Sequence, residues 1–354
     1  MNRIPYLIFG CIVFFGLSKD AIAYHCKYHQ KLNKGAKLEN EKRKLLHNRF
    51  FTFDWVFTEC NAQNYLAYHI GFAEAEELIV NEKFSEAESI LDGLFAGHEV
   101  KFVKDYLIAA QISFLNSHKN KAFDHLRHAL KKGVKLECIK SIHLFNKNIV
   151  KEEWEELEKA SDQFRKTYLE SIDLKNHINL HKRYQKEQDA KRNEHYGSVV
   201  YSNFRNIKSL VDSTGFPGEA LIGLDNQSLA HSIDDCACGN SKVVVTLLHY
   251  DHPISELGLD LLVAEVKAGN LHPRELATIY IYEKSKVSKL YKNSKKEYPA
   301  LPDYYFNLPF GNKSTDMERV NSDRLEFGIC KYEVDEKKEA ISRKYGMKLT
   351  FNYK

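Results

Sequence analysis

After residue 23 no stretch is long and apolar enough to cross a bilayer as a helix, which takes ~20 residues, so no membrane span is expected in the mature chain. There is no glycine-rich phosphate loop, no G-x-S-x-G elbow and no dinucleotide fingerprint. Those absences argue against the common nucleotide enzymes and serine hydrolases. A strong charge excess is missing too. The formal net charge is +4, and removing residues 1–23, with Arg3, Lys19 and Asp20, leaves +3. Nucleic-acid binding rests on neutralising many phosphates, so no nucleic-acid partner is expected.

The N-terminus carries a distinct signal. Arg3 precedes the uncharged apolar run Ile4 to Leu17, polarity returns at Ser18-Lys19-Asp20, and Ala21-Ile22-Ala23 puts small residues where a signal peptidase reads. This is the layout of a secretory signal peptide over 1–23, cut before Tyr24. Export is expected, to the periplasm or exterior of a bacterium. Cysteine usage agrees with that. Cys11 leaves with the signal, and Cys26, Cys60, Cys138, Cys236, Cys238 and Cys330 remain. An even set in an oxidising compartment permits three disulfides. Cys26 with Cys60, and Cys330 with Cys236 or Cys238, are the candidate pairs, while buried free thiols are the alternative.

The 43% hydrophobic content suffices for packed cores, and the length suggests two domains. From Asn61, apolar residues recur at helical spacing: Tyr65, Ile70, Ala73 and Leu78, then Ala87, Ile90, Leu91 and Leu94. A second pair of helices follows, Tyr106 to Leu115 and then Lys121 to Leu130, stopped by Gly133. Ala87 recurs as Ala122, and Leu91 as Leu126, each 35 residues on. On that spacing and those small residues the stretch 61–158 resembles tetratricopeptide repeats, whose period is ~34 residues. The resemblance implies stacked helical hairpins within a domain over 24–172 that binds a protein partner on a concave face. Residues 173–198 are charged, and beyond Leu180 polar nearly all round, which reads as a solvent-bridging helical linker.

In the C-terminal part, helices are expected over 199–213, Glu256 to Ala268, Pro273 to about Tyr282, and Val334 to Lys344 before Gly346. The β-branched run Lys242 to Leu248 fits a strand or a buried helix. Several short motifs follow in order: Gly215-Phe216-Pro217-Gly218, His249-Tyr250-Asp251-His252, Leu271-His272-Pro273-Arg274-Glu275-Leu276-Ala277, and Val334-Asp335-Glu336-Lys337-Lys338 before Tyr345-Gly346-Met347. On these, residues 200–350 resemble the bacterial DUF6624 family. The resemblance implies a domain over 199–354, not a reaction. The expected fold class is mainly α: tetratricopeptide-like hairpins, then an α-rich or α+β domain.

Candidate chemistry centres on His249, Asp251 and His252. On a helix, the two histidines three apart would share a face, where neutral imidazoles can bind zinc and a nearby carboxylate can act as ligand or general base. A turn or capping role is the plainer reading, because Pro253 ends whatever element precedes it. Asp234-Asp235-Cys236-Ala237-Cys238 could hold a soft metal or a redox pair, but a zinc site would need two further ligands. The lysines at 284, 286, 289, 292, 295 and 296, among Tyr282, Tyr291 and Tyr298, read as a solvated loop or a surface for anions. Tyr304-Tyr305-Phe306 reads as an aromatic patch or as packing. Two functions stay in competition. One is an exported accessory module that binds a partner through its repeats. The other is a hydrolase-like metal or acid/base enzyme at His249, Asp251 and His252.

Overall fold

The computed structural model describes residues 64–224, 241–290, 301–308 and 313–351, and these belong to one compact unit. The expected signal peptide, Cys26, Cys60, the Asp234–Cys238 cluster and Lys292, Lys295 and Lys296 of the lysine run lie outside the described residues. The protein is mainly α, and no strand occurs among the described residues. No described helix is long and apolar enough to cross a membrane.

Helix α1, Tyr65–Val80, begins where the Asn64 side chain accepts a hydrogen bond from Leu66 N (3.1 Å), satisfying one of the orphan donors of a first turn. Helices α2 (Phe84–Gly97), α3 (Val103–Leu115) and α4 (Lys119–Lys131) follow, each packed on the one before it. Ala87, Leu91, Ala122 and Leu126, the residues that match 35 apart, are all at most 1% exposed. Close helix crossing explains the two alanines, since a larger side chain would hold the backbones apart.

Short helices α5 (Leu136–Lys140), α6 (His143–Asn148) and α7 (Lys151–Lys159) lead to α8 (Ser161–Ser171), which packs back on α4. Tyr168 of α8 is buried against Gly133, and its hydroxyl accepts Leu224 N (2.9 Å) beside Gly223. Both glycines have positive φ, and a Cβ on either would fall within 2.5 Å of the Tyr168 ring or hydroxyl, so only glycine fits.

The segment expected to be a solvent-bridging linker is instead packed. Helix α9 (Leu174–Ala190) lies against α10 (Tyr196–Thr214), the single turn α11 (Glu219–Ile222) and α12 (Ser241–His249). Its buried stripe is His177, Leu180 and Glu187. Residues 242–248 are thus helix, not strand. The helix expected over Glu256–Ala268 is two, α13 (Pro253–Leu257) and α14 (Leu259–Lys267), because Gly258 takes φ +93 between them. The Pro273 helix, α15, runs on to Leu290. Tyr304 and Phe306 each meet Phe327 edge to face, so Phe306 is core and Tyr304 packs against it, while Tyr305 stays part-exposed under Arg319.

The last two helices are α16 (Met317–Glu326) and α17 (Tyr332–Tyr345), the latter ended by Gly346 in the left-handed conformation. Helix α17 returns to α1, and Val334, Ile341, Met347 and Leu349 join the core made by the first eight helices. Beyond it, residues 347–351 are extended. Lys348 donates its N–H to Gln111 Oε1 (2.6 Å), and its C=O accepts Gln111 Nε2 (3.0 Å), so one buried amide of α3 reads both sides of one residue.

Candidate functional site

Helix α12 buries Val243, Val244 and Leu247 and ends on His249. Tyr250 leaves the helix and stacks on Phe204 of α10 at 4.0 Å and 14°, which fixes the chain direction there. The His249 ring reaches α9, where Nδ1 hydrogen-bonds Glu187 Oε1. Glu187 is fully buried, and its other oxygen accepts Asn203 Nδ2 (2.7 Å), which also donates to the Arg183 carbonyl (3.1 Å). An ionised carboxylate only accepts, so Nδ1 is the nitrogen that donates to Glu187, and Nε2 is the ring nitrogen left on the other side. Nε2 has no hydrogen-bond partner among the described residues, and the side chain stays 17% exposed.

Tyr196 of α10 stands edge-on to His249, ring centres 6.2 Å apart. Its phenol is pushed up by burial, then by the Glu187 charge and the nearby Tyr282. Lys286 of α15 lies over the Tyr282 ring, 4.9 Å from its centre. Its ammonium donates to the Leu248 carbonyl (2.9 Å), the His249 carbonyl (3.4 Å) and Asp251 Oδ1 (3.3 Å). A cation there answers the carbonyls left open at the end of α12. Helices α9, α10 and α12 thus meet at one imidazole, and α15 reaches the backbone carbonyl of the same residue.

The expected trio does not converge. His249 pairs with Glu187, Asp251 with Lys286, and His252 precedes α13 with φ −133 and ψ 44, its carbonyl accepting Glu256 N (3.1 Å). The two histidines therefore do not share the helix face that a zinc pair would use. No group of three or more His, Cys, Asp and Glu side chains is placed to hold a metal among the described residues. Glu187 was missed because its helix reads as polar. Its signal was the stripe His177, Leu180, Tyr184, Glu187, at helical spacing and ending on an acid.

A second ionic assembly joins the start of the chain to its end. Asp335 Oδ1 receives Arg274 Nη2 (2.6 Å) and Lys338 Nζ (3.0 Å), and Oδ2 receives Arg324. Lys338 also pairs with Glu76 of α1 (2.9 Å). Arg324, fully buried, donates further to the carbonyls of Cys330 (2.6 Å) and Phe306 (2.7 Å). Burial opposes ionising Asp335, but Arg274, Lys338 and Arg324 outweigh it and hold the carboxyl far below its usual range. Cys330, expected in a disulfide, is a buried free thiol here, pushed up to about 11 by burial. Beside this assembly His69 and His272 sit with Phe102, their ring centres 5.0–5.5 Å apart. Burial, with Lys104 nearby, drops His69 to about 3 and His272 well below its ordinary value.

On the N-terminal helices an aromatic ridge is part-exposed. Tyr106 of α3 stacks on His128 of α4 at 5.1 Å and 10°, and Phe95 of α2 meets Tyr106 and His125 edge-on at 5.5 and 5.6 Å. Burial lowers His125 to about 4 and also lowers His128, so both rings are neutral near pH 7.

No protein-family model, no curated protein and no solved structure matches the chain.

Proposed function

We propose that the protein is an exported accessory module that binds a protein partner through its N-terminal helices. The observation that carries this reading is the ridge of Phe95, Tyr106, His125 and His128. Three successive helices present planar, uncharged rings at the surface. Aromatic rings held rigid before contact lose little entropy on binding and supply much of an interface's energy. The 35-residue offset supports the tetratricopeptide reading of this part, and the motif order supports the DUF6624 reading of residues 200–350.

The test is a photo-crosslinking residue placed at Tyr106, with Tyr201 as control, since Tyr201 is 51% exposed but away from the ridge. In the exported compartment, Tyr106 should give one discrete protein adduct, and His128→Ala should reduce it severalfold. An adduct at the control site with none at Tyr106 would overturn the reading.

A further inference from the structure

The clearest unassigned chemistry lies at the other end of the molecule from the ridge helices in sequence, around His249. We propose that His249, held by Glu187 and faced by Tyr196, is a general acid–base centre that hydrolyses uncharged carboxylic esters.

Three observations carry this. First, the imidazole is oriented rather than merely placed. The Glu187 carboxylate fixes the Nδ1–H tautomer, and Asn203 fixes Glu187 in turn. A base backed by a buried acceptor, itself held by a third group, is the arrangement that readies an imidazole to take a proton. Second, the working atoms are open. Nε2 of His249 and the hydroxyl of Tyr196, whose rings meet edge-on, have no hydrogen-bond partner among the described residues. Third, the surroundings select the substrate class. Among the described residues, the cation seen at this site, Lys286, is committed to two carbonyls and Asp251 rather than open to an anion. Glycoside hydrolysis needs two working carboxyl groups. Here Glu187 is fully buried and Asp251 is paired. What remains is one base beside one phenol, which suits acyl transfer to water.

Nε2 takes a proton from water while the water oxygen bonds to the ester carbonyl carbon, and the carbonyl π pair moves to its oxygen. That oxyanion accepts a hydrogen bond from a tyrosine hydroxyl, as in other donor-lined acyl-transfer sites. Glu187 stabilises the imidazolium. The carbonyl then re-forms, the bond to the alcohol oxygen breaks, and that oxygen takes the proton back from Nε2. Ester and water become acid and alcohol.

The experiment uses the full chain with p-nitrophenyl acetate and butyrate, following release of the phenolate, and compares His249→Gln, Glu187→Gln, Tyr196→Phe and the exposed control His195→Ala. Unfolding midpoints are measured for each variant. A positioned acid–base group contributes ~10²–10⁴-fold. The wild-type chain should therefore exceed His249→Gln by about 10² or more. Glu187→Gln should lose much of that gain and change the pH profile, while Tyr196→Phe should lower kcat with KM kept. His195→Ala should match wild type. A wild-type rate no higher than that of a folded His249→Gln chain overturns the proposal, as does a Glu187→Gln chain with full activity and an unchanged pH profile. The crosslinking test at Tyr106 is independent of all these outcomes.

Discussion

The two ionic assemblies use similar residues to opposite ends. Around Asp335, Arg274, Arg324, Lys338, Glu76 and the Cys330 carbonyl close on one another. Around His249, the donor nitrogen Nδ1 is satisfied by Glu187 while Nε2 has no partner among the described residues and the side chain stays part-exposed. In a low-dielectric interior every unpaired polar atom is costly, so closure gives rigidity. An atom left open where solvent reaches it can do chemistry. The closed assembly joins sequence-distant helices, α1 to α17, and the open one gathers α9, α10, α12 and α15 at a surface.

Breaking the closed assembly should therefore cost most. Asp335→Ala removes the carboxylate that Arg274, Arg324 and Lys338 share, and of these only Lys338 keeps an ion pair, with Glu76, among the described residues. Removing one partner of a buried ion pair costs about 3–5 kcal/mol, and three cations share this one. Denaturant unfolding should show a lower midpoint with the slope unchanged. A loss under about 1 kcal/mol would mean water reaches the assembly, and the contrast with His249 would fall.

Acid should act next, through the histidines beside that assembly. His69 falls to about 3 in the folded chain and His272 well below its ordinary value. An unfolded histidine titrates near 6.5, so below that pH the unfolded state binds more protons and stability falls with pH. Between pH 7 and 5 each buried histidine should cost up to about 2 kcal/mol. The depressed carboxylates, Glu76, Glu88 and Asp335, act only lower, because their stabilisation is lost below about pH 4.5. Unfolding of His69→Phe across that range separates the two windows: its loss between pH 7 and 5 should be about 2 kcal/mol smaller than the wild type's.

How much of this was legible in the sequence differs by region in the same way. Local features were readable: the Ala87/Ala122 and Leu91/Leu126 offsets, the stops at Gly133 and Gly346, and His249 as a residue of interest. Each rests on spacing within a few turns. What was not readable needed partners far along the chain. Glu187 meets His249 across 62 residues, and Lys338 meets Glu76 from the opposite end of the described chain. A polar residue looks solvated in sequence unless its partner is known, so α9 read as a linker. The break at Gly258 was missed because one glycine inside an apolar period weakens a helix without marking where it ends.

A smaller effect checks whether the C-terminal segment belongs to the first core. Gln111 is fully buried and supplies both partners of Lys348. Gln111→Ala leaves that N–H and C=O without them, at about 1–3 kcal/mol. Hydrogen exchange at the Lys348 amide should quicken in the variant, with amides of α12 unchanged. If Lys348 exchange is unaltered, the segment is held by Met347 and Leu349 alone.

The smallest effect separates the two assemblies by reactivity rather than stability. Cys330 lies against Arg274 and Lys338, and cations usually favour a thiolate. Burial wins here and holds the thiol up near 11, so near pH 7–8 it is protonated and enclosed. A thiol reagent added to the native chain should leave Cys330 unmodified, as mapped by peptide mass, until denaturant opens the core. Cys330→Ala should alter stability by no more than about 1–2 kcal/mol, since the thiol is a weak donor and the ion pairs around it remain. Rapid native labelling would mean that the assembly opens on its own, and that closure is not what distinguishes it from the Glu187–His249 pair.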